Sequence, residues 1–289
     1  MNAWILAARP KTLPAAAVPV WVGSLPALID APSTRSWLLF ATALTACLCI
    51  QIATNFFNDA IDSMKGADTK ARLGPTRVTA SGLLSRRVVL LTALGFCITA
   101  AVVAIPMVLL RGWPILIIGI VSLIFAYCYT GGPFPLAYHG MGELFVILFF
   151  GFVAVSGSHY VQTASWGGIP ILALGLQCGL YSSALIAINN LRDRAEDIST
   201  GKRTLAVRFG ETFARWEIAG FCFLPPLLWP LAAPGIDVFI GLFPVLAGVP
   251  VVAGVFLMTP GPGHNKLLAL AALQLILFAA ATTWYFLAR

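Results

Sequence analysis

Nine long apolar stretches organise this sequence, at approximately 12–29, 37–57, 88–110, 113–130, 143–163, 168–190, 214–234, 237–258 and 266–288. A run of about 20 mostly apolar residues is long enough to cross the hydrocarbon core of a bilayer as a helix. Lipid offers the backbone no hydrogen-bonding partner, so only helices or a closed barrel can cross it. Barrel strands alternate in polarity over about ten residues, whereas these stretches are continuous, so helices are expected. Composition agrees: 59% of the 289 residues are hydrophobic and 10% are charged, against roughly 25% charged in a soluble domain. Soluble and disordered chains are both excluded on that ground. The expected fold is all-α, a polytopic membrane protein with nine transmembrane helices in one bundle, forming a single domain over 1–289. Pro14, Pro19 and Pro26 in the first stretch, and Pro244 and Pro250 in the eighth, predict kinks whose freed carbonyls need partners on neighbouring helices.

The net charge of +7 would suggest nucleic acid in a soluble protein, but beside so much apolar sequence it points to a membrane surface and to no nucleic-acid partner. Nine crossings place the two termini on opposite faces. All of the 18 basic residues except Arg35, Arg111 and Arg289 then fall on the face that holds the N-terminus. By the positive-inside rule that face is cytoplasmic. The sequence therefore predicts a multi-pass protein of the cytoplasmic (inner) membrane with its C-terminus on the far side. Arg9 and Lys11 follow the short apolar run at 4–8 instead of preceding it, so no cleaved secretory leader is expected. The six cysteines match no metal-binding spacing and read as small buried apolar residues.

Two loops, roughly 58–87 and 191–213, are long and polar, and both fall on the basic face. Six of the 11 acidic residues sit in two windows there: Asp59, Asp62 and Asp68, then Asp193, Glu196 and Asp197. Each window is the end of an apolar helix that carries Asn, then acids, then Gly and basic residues. Asn55 and Asp59, Asn58 and Asp62, Asn189 and Asp193, and Asp193 and Asp197 are each four apart, so in each window the side chains share a helical face. A carboxylate at mid-bilayer depth costs about 2.5–3.5 kcal/mol on insertion scales, so these groups must line a water-filled cavity near the cytoplasmic side or hold cations there. Oxygen donors without His or Cys favour Mg²⁺ over zinc or copper, and Mg²⁺ commonly bridges one or two carboxylates to substrate phosphates. The neighbouring Lys65, Lys70, Arg72, Arg77, Lys202 and Arg203 suit a ligand that is itself strongly negative. Acids for a metal and bases for an anion describe a diphosphate site, with the apolar bundle holding a hydrocarbon tail.

The stretch from Tyr127 through Cys128, Tyr129 and Phe134 to Tyr138 and His139 lies on the same face. Tyr129, Tyr138 or His139 is placed to hold an aromatic substrate or take its proton. Interfacial aromatics also anchor helix ends, and that reading stands equally open. A transporter with cation-handling acids is a competing class, but it needs its charged site near the midplane with access from both sides. Here the acids gather at one face.

Four stretches carry a family resemblance: Ala8-Arg-Pro-Lys-Thr-Leu-Pro14; Gly74-Pro-Thr-Arg77-Val-Thr-Ala-Ser-Gly82; Tyr129-Thr-Gly-Gly-Pro-Phe-Pro-Leu136; and Asn189-Asn-Leu-Arg-Asp193 continuing through Gly201-Lys-Arg-Thr-Leu205. With the windows Asn58-Asp59-Ala-Ile-Asp62 and Asp193-Arg-Ala-Glu-Asp197, the chain resembles the intramembrane aromatic prenyltransferases of the UbiA superfamily, and within them the menaquinone-synthesis branch. The resemblance runs from about residue 8 to 210. It departs from the family spacing at Gly66, where many members carry the next acid, and Asp68 follows two residues later.

The resemblance implies transfer of a polyprenyl chain from polyprenyl diphosphate to 1,4-dihydroxy-2-naphthoate, with loss of CO₂; a relative using 4-hydroxybenzoate is the alternative within the superfamily. It implies Mg²⁺ held by Asp59, Asp62, Asp68, Asp193 and Asp197, of which Asp59, Asp62, Asp193 and Asp197 would be catalytic. Asn58, Lys65, Arg77, Asn189, Lys202 and Arg203 would contact the diphosphate. Asn55, Tyr129, Tyr138 and His139 would form the acceptor pocket. The expected partners are the two substrates and the bilayer, with no obligate protein partner.

Overall fold

The computed structural model describes residues 2–66, 73–74 and 76–289. The chain is all-α. A short helix α1 (Ala3–Ala8) leads to α2 (Leu13–Asp30), α3 (Thr34–Met64), α4 (Arg86–Arg111) and α5 (Trp113–Cys128). Then follow α6 (Gly142–Thr163), α7 (Gly168–Ser199), α8 (Leu205–Phe223), a single turn α9 (Trp229–Ala232), α10 (Val238–Leu257) and α11 (His264–Ala288). Among the described residues seven helices are long and apolar enough to cross a membrane: α3, α4, α6, α7, α10, α11, and α2 taken together with α1. Nine apolar stretches were expected, and the remaining two take shorter forms. The stretch at 113–130 is a 16-residue helix, α5. The stretch at 214–234 is the end of α8, a 3₁₀ turn at Pro225–Leu228, and α9.

The interruption between α8 and α9 follows from proline chemistry. Pro226 has no N–H to give to the carbonyl four residues back, which is that of Cys222. The Gln274 side chain supplies the donor instead, at 2.9 Å, and Gln177 donates to the carbonyl of Pro225 at 2.9 Å. Two glutamines buried among apolar helices are thus explained by the backbone they complete. Of the prolines expected to bend their helices, Pro14 falls in the first turn of α2, where no helical N–H is needed, while Pro19 and Pro26 lie inside α2. Pro244 marks the break in α10 between Leu242 and Val245, and Pro250 lies inside the helix beyond it. The short link between α4 and α5 is Gly112 alone, with φ of 74°, a backbone region that favours glycine.

The helix α7 is the most enclosed of the seven and α4 the least. On α4, Leu91, Leu94, Ile98, Val102 and Leu109 are exposed, an apolar outer face that water would not tolerate and lipid would. The largest cluster of buried apolar residues surrounds Tyr181 and Phe278, where α7 and α11 meet. Between α6 and α7 the backbones come close. A Cβ on Gly179 would stand 2.9 Å from the Cα of Ile147, and one on Gly151 would stand 2.5 Å from the Gly175 carbonyl oxygen. This contact coincides with a π-helical segment of α6, Ile147–Val153.

The two ends of the bundle differ. Arg9, just before α2, reaches Asn58 near the end of α3. Asp30, the last residue of α2, is paired with Arg289, so the chain termini lie at opposite ends. Beside α3, α4, α5 and α6 lies an apolar cavity of about 200 Å³. It extends from Met107, Ile115 and Val161 at the Arg289 end of the bundle to Gln51, Thr54, Tyr129 and Phe145 nearer the Arg9 end. The six cysteines are free.

Candidate active site

At the Arg9 end three separate pieces of chain converge on Asp62, whose side chain is 1% exposed. Tyr138 donates its hydroxyl proton to one carboxylate oxygen at 2.7 Å. Lys202 and Arg77 approach the other at 3.2 and 3.4 Å. Lys202 comes from the segment after α7, so the Lys202–Asp62 pair joins the two acid windows across 140 residues. Local backbone geometry explains the reach. Gly201, with φ of 75°, ends α7 in a left-handed turn, and the Lys202 amide then caps the Asp197 carbonyl at 2.9 Å. The Arg203 amide donates to the Tyr138 carbonyl at 3.0 Å, stitching this segment to the turn after α5.

Asp197 is buried at 6% exposure, with Lys202, Asp193 and Asp62 as its electrostatic neighbours. The tips of the two acid-bearing helices therefore face one volume. Asp193 is held by a bidentate pair with Arg192, at 2.7 and 2.6 Å. Arg192 in turn donates to Asn265 at 2.7 Å, and Asn265 to the Leu73 carbonyl at 3.3 Å. Lys65 donates to the Thr130 carbonyl at 2.8 Å and lies 4.2 Å from the centre of the Tyr138 ring, with Lys202 at 5.0 Å. Partial burial lowers the Lys65 pKa from the ordinary lysine value, opposed by the nearby Asp62 carboxylate. Asn58 accepts from Arg9 at 3.1 Å and from Arg77 at 2.8 Å, so two guanidinium groups are fixed beside the acids.

Several residues expected in this site serve its framework. Each Asp59 oxygen accepts one backbone amide, from Val78 at 3.1 Å and from Thr79 at 2.9 Å. Asp59 thus ties down the loop that presents Arg77. Asn55 donates to the Ala8 carbonyl at 2.9 Å and to the Thr12 hydroxyl at 3.0 Å. That holds the turn in which Arg9 adopts a left-handed φ of 50°, a conformation an arginine keeps only under constraint. Tyr138 stands within the charged cluster, between two lysines. His139 turns away from it, with Nδ1 2.8 Å from the Pro135 carbonyl oxygen and its ring stacked on Phe134. Asn189 donates to the Leu185 carbonyl at 3.0 Å. Arg203 is exposed, and Asp68, Lys70 and Arg72 lie outside the described residues.

Among the described residues no three His, Cys, Asp or Glu side chains form a cage for a metal ion. The donor set instead consists of carboxylate oxygens from two helix tips, ringed by Arg9, Lys65, Arg77 and Lys202. This fits a small hard cation shared between protein carboxylates and an anionic ligand. Residues 16–259 match the UbiA prenyltransferase family. The chain belongs to that family. It is 34% identical over 237 residues to a 1,4-dihydroxy-2-naphthoate octaprenyltransferase of Haemophilus influenzae, covering 78% of this chain and 76% of the relative. It is 38% identical over 221 residues to the Escherichia coli protein of the same name, covering 74% of this chain and 70% of that one. A UbiA homolog from Archaeoglobus fulgidus, solved bound to DMAPP and Mg2+, superposes with a TM-score of 0.68 at 16% identity, covering 99% of each chain. That likeness establishes the fold.

Sequence reasoning passed over Arg9 and Arg192 as site residues. Arg9 read only as a basic flank, because nothing local reveals that a left-handed turn aims it at Asn58. Arg192 was legible as a charge beside Asp193, and its link to Asn265 in α11 was not.

Proposed function

We propose that this protein transfers a polyprenyl group from polyprenyl diphosphate to 1,4-dihydroxy-2-naphthoate, releasing diphosphate and CO₂ and giving demethylmenaquinol. The named relatives at 34% and 38% identity support the substrate class. The observation that carries the reading is the Lys202–Asp62 ion pair, which joins the two acid windows close to Tyr129 in the wall of the apolar cavity.

In this reading Asp62, Asp193 and Asp197, with Asp68, hold Mg²⁺, which when bound neutralises the departing diphosphate. Lys202 and Arg77, already paired with Asp62, are placed to turn to the diphosphate oxygens, and Lys65 and Arg9 extend the same positive field. Fixed cations aimed at developing negative charge stabilise the transition state without reorganising at the moment of reaction. The tail occupies the apolar cavity, so the allylic carbon sits at the end lined by Tyr129 and Gln51. Apolar walls there keep water from trapping the allylic cation. The ring carbon bearing the carboxylate bonds to the allylic carbon while the carbon–oxygen bond to diphosphate breaks. The carboxylate then leaves as CO₂, its electron pair restoring the aromatic ring.

The helix order supports nine membrane crossings, with α5 and the segment from α8 to α9 as the two shorter ones. The basic end carrying the site would face the cytoplasm, with the whole chain acting as one catalytic bundle. Purified protein given farnesyl diphosphate and either 1,4-dihydroxy-2-naphthoate or 4-hydroxybenzoate tests the reaction. Prenylated naphthoquinol should form only with the first acceptor, stop on chelation and return with Mg²⁺. Turnover that persists in the presence of chelator, or a preference for 4-hydroxybenzoate, would overturn the assignment. Reporter fusions at Arg289 and at the loop after α3 should report opposite sides of the membrane.

A further inference from the structure

Behind Tyr129, between α6 and α7, stands a carboxylate that neither metal nor diphosphate requires. Glu143, in the first turn of α6, is 3% exposed. Its Oε1 accepts from the Asn190 side chain at 2.7 Å. Its Oε2 is closed off from solvent and has no partner, and it is the one carboxylate oxygen in that condition among the described residues. A buried acceptor left unpaired is destabilising, and more so when it is charged, so the site calls for a donor that arrives from outside.

The surroundings say what donor it is. Tyr129 lines the cavity, and its phenol has Glu143, Asp62, Asp197 and Arg9 as electrostatic neighbours. Its hydroxyl lies against α6 so closely that a Cβ on Gly142 would stand 3.3 Å from it. Glu143 is therefore one residue from the contact between the tail cavity and the diphosphate cluster. A donor with its head on Asp62 and its tail in the cavity has its reactive carbon at this contact, and the acceptor ring must meet it there. A dihydroxylated ring brings hydrogen-bond donors, and Glu143 has an acceptor oxygen to spare.

We propose that Glu143 Oε2 receives a ring hydroxyl of the aromatic acceptor, with Asn190 fixing the carboxylate and Tyr129 forming the adjacent wall. The hydrogen bond sets which ring carbon faces the allylic carbon. The inference rests on the aromatic-acceptor reading above.

Equilibrium dialysis of 1,4-dihydroxy-2-naphthoate and its 4-O-methyl ether, with steady-state kinetics, separates the two. Wild-type protein should bind the dihydroxy compound more tightly than the ether. Glu143→Gln should weaken binding of the dihydroxy compound by roughly 10- to 100-fold, the range for a hydrogen bond to a charged group, and erase the preference over the ether. The KM for farnesyl diphosphate should stay unchanged, and Glu143→Asp should recover part of the acceptor affinity. A Glu143→Gln protein that keeps the wild-type preference for the free hydroxyl, or loses donor and acceptor affinity equally, overturns the proposal while leaving the reaction assignment intact. Wild-type protein that binds no dihydroxynaphthoate overturns both. Should Glu143→Gln fail to fold, the same comparison is made with Asn190→Leu, which releases the carboxylate and should narrow the preference; an undiminished preference there equally refutes the proposal.

Discussion

Asp59 and Asp62 occupy neighbouring faces of the same helix end, yet the structure gives them different work, and Asp59→Asn separates the two. Asp59 is 1% exposed, and its two oxygens each accept one backbone amide, at 3.1 and 2.9 Å. An asparagine keeps one acceptor and turns an NH₂ group toward the other amide, so one bond is lost and a buried donor faces a donor. A hydrogen bond to a charged group contributes about 1.5–3 kcal/mol, so the loop at Val78 and Thr79 should loosen by about 2 kcal/mol. Each 1.4 kcal/mol is a factor of ten, which makes that loosening roughly 30-fold in the closed fraction of the loop. Arg77 precedes Val78 and would lose its place on Asn58 and Asp62. The expected result is a lower unfolding temperature in detergent and a KM for farnesyl diphosphate raised by up to that factor. The Mg²⁺ concentration giving half-maximal rate should not move. Asp62→Asn, by contrast, should abolish turnover at every Mg²⁺ concentration in a protein that still folds. An Asp59→Asn enzyme that needs far more Mg²⁺ and melts like wild type would refute this division and make Asp59 a metal ligand.

Other residues permit shorter tests. Asn55→Leu strands the Ala8 carbonyl and removes one of the partners of the Thr12 hydroxyl, so stability should fall by about 1–3 kcal/mol, with weaker donor binding as Arg9 is released; unfolding and KM measurements read both. Gly179→Ala places a methyl carbon 2.9 Å from the Ile147 Cα, and the forced separation of α6 and α7 should cost about 1–3 kcal/mol in denaturant unfolding. Gln274→Leu removes the donor that replaces the missing Pro226 amide, and should destabilise by about 1–3 kcal/mol while leaving the KM values for both substrates unchanged.

Much of the bundle was legible because lipid imposes a simple rule on sequence: long apolar runs, interrupted by glycine, proline and charge. The single-residue link at Gly112 and the break at Pro244 were both readable in that way. So was the pairing of the two acid windows, since Asp62 and Lys202 belong to matching segments that had to share a partner. What spacing could not reveal was competition for the same side chains. Asn55 and Asp59 have the residue types and periodicity of ligands, and spacing alone does not show that each also holds backbone groups far along the chain. Tyr138 and His139 are adjacent in sequence, and the 3₁₀ turn at Leu136–Tyr138 sends one to Asp62 and the other to Pro135. Glu143 is one acid in the first turn of α6, and only its enclosure and its unpaired oxygen set it apart.

The shape of the apolar cavity bears on how the enzyme treats chain length. The cavity runs along the bundle from Met107, Ile115 and Val161 to Gln51 and Tyr129, and it is open along part of its wall. A donor chain longer than the cavity can leave through that opening, between the helices and into the surrounding lipid. Such an enzyme grips the head of its substrate and leaves the rest dissolved in the bilayer. An opening of that kind lets the wall of the cavity pass chains of different lengths without a closed end to measure them.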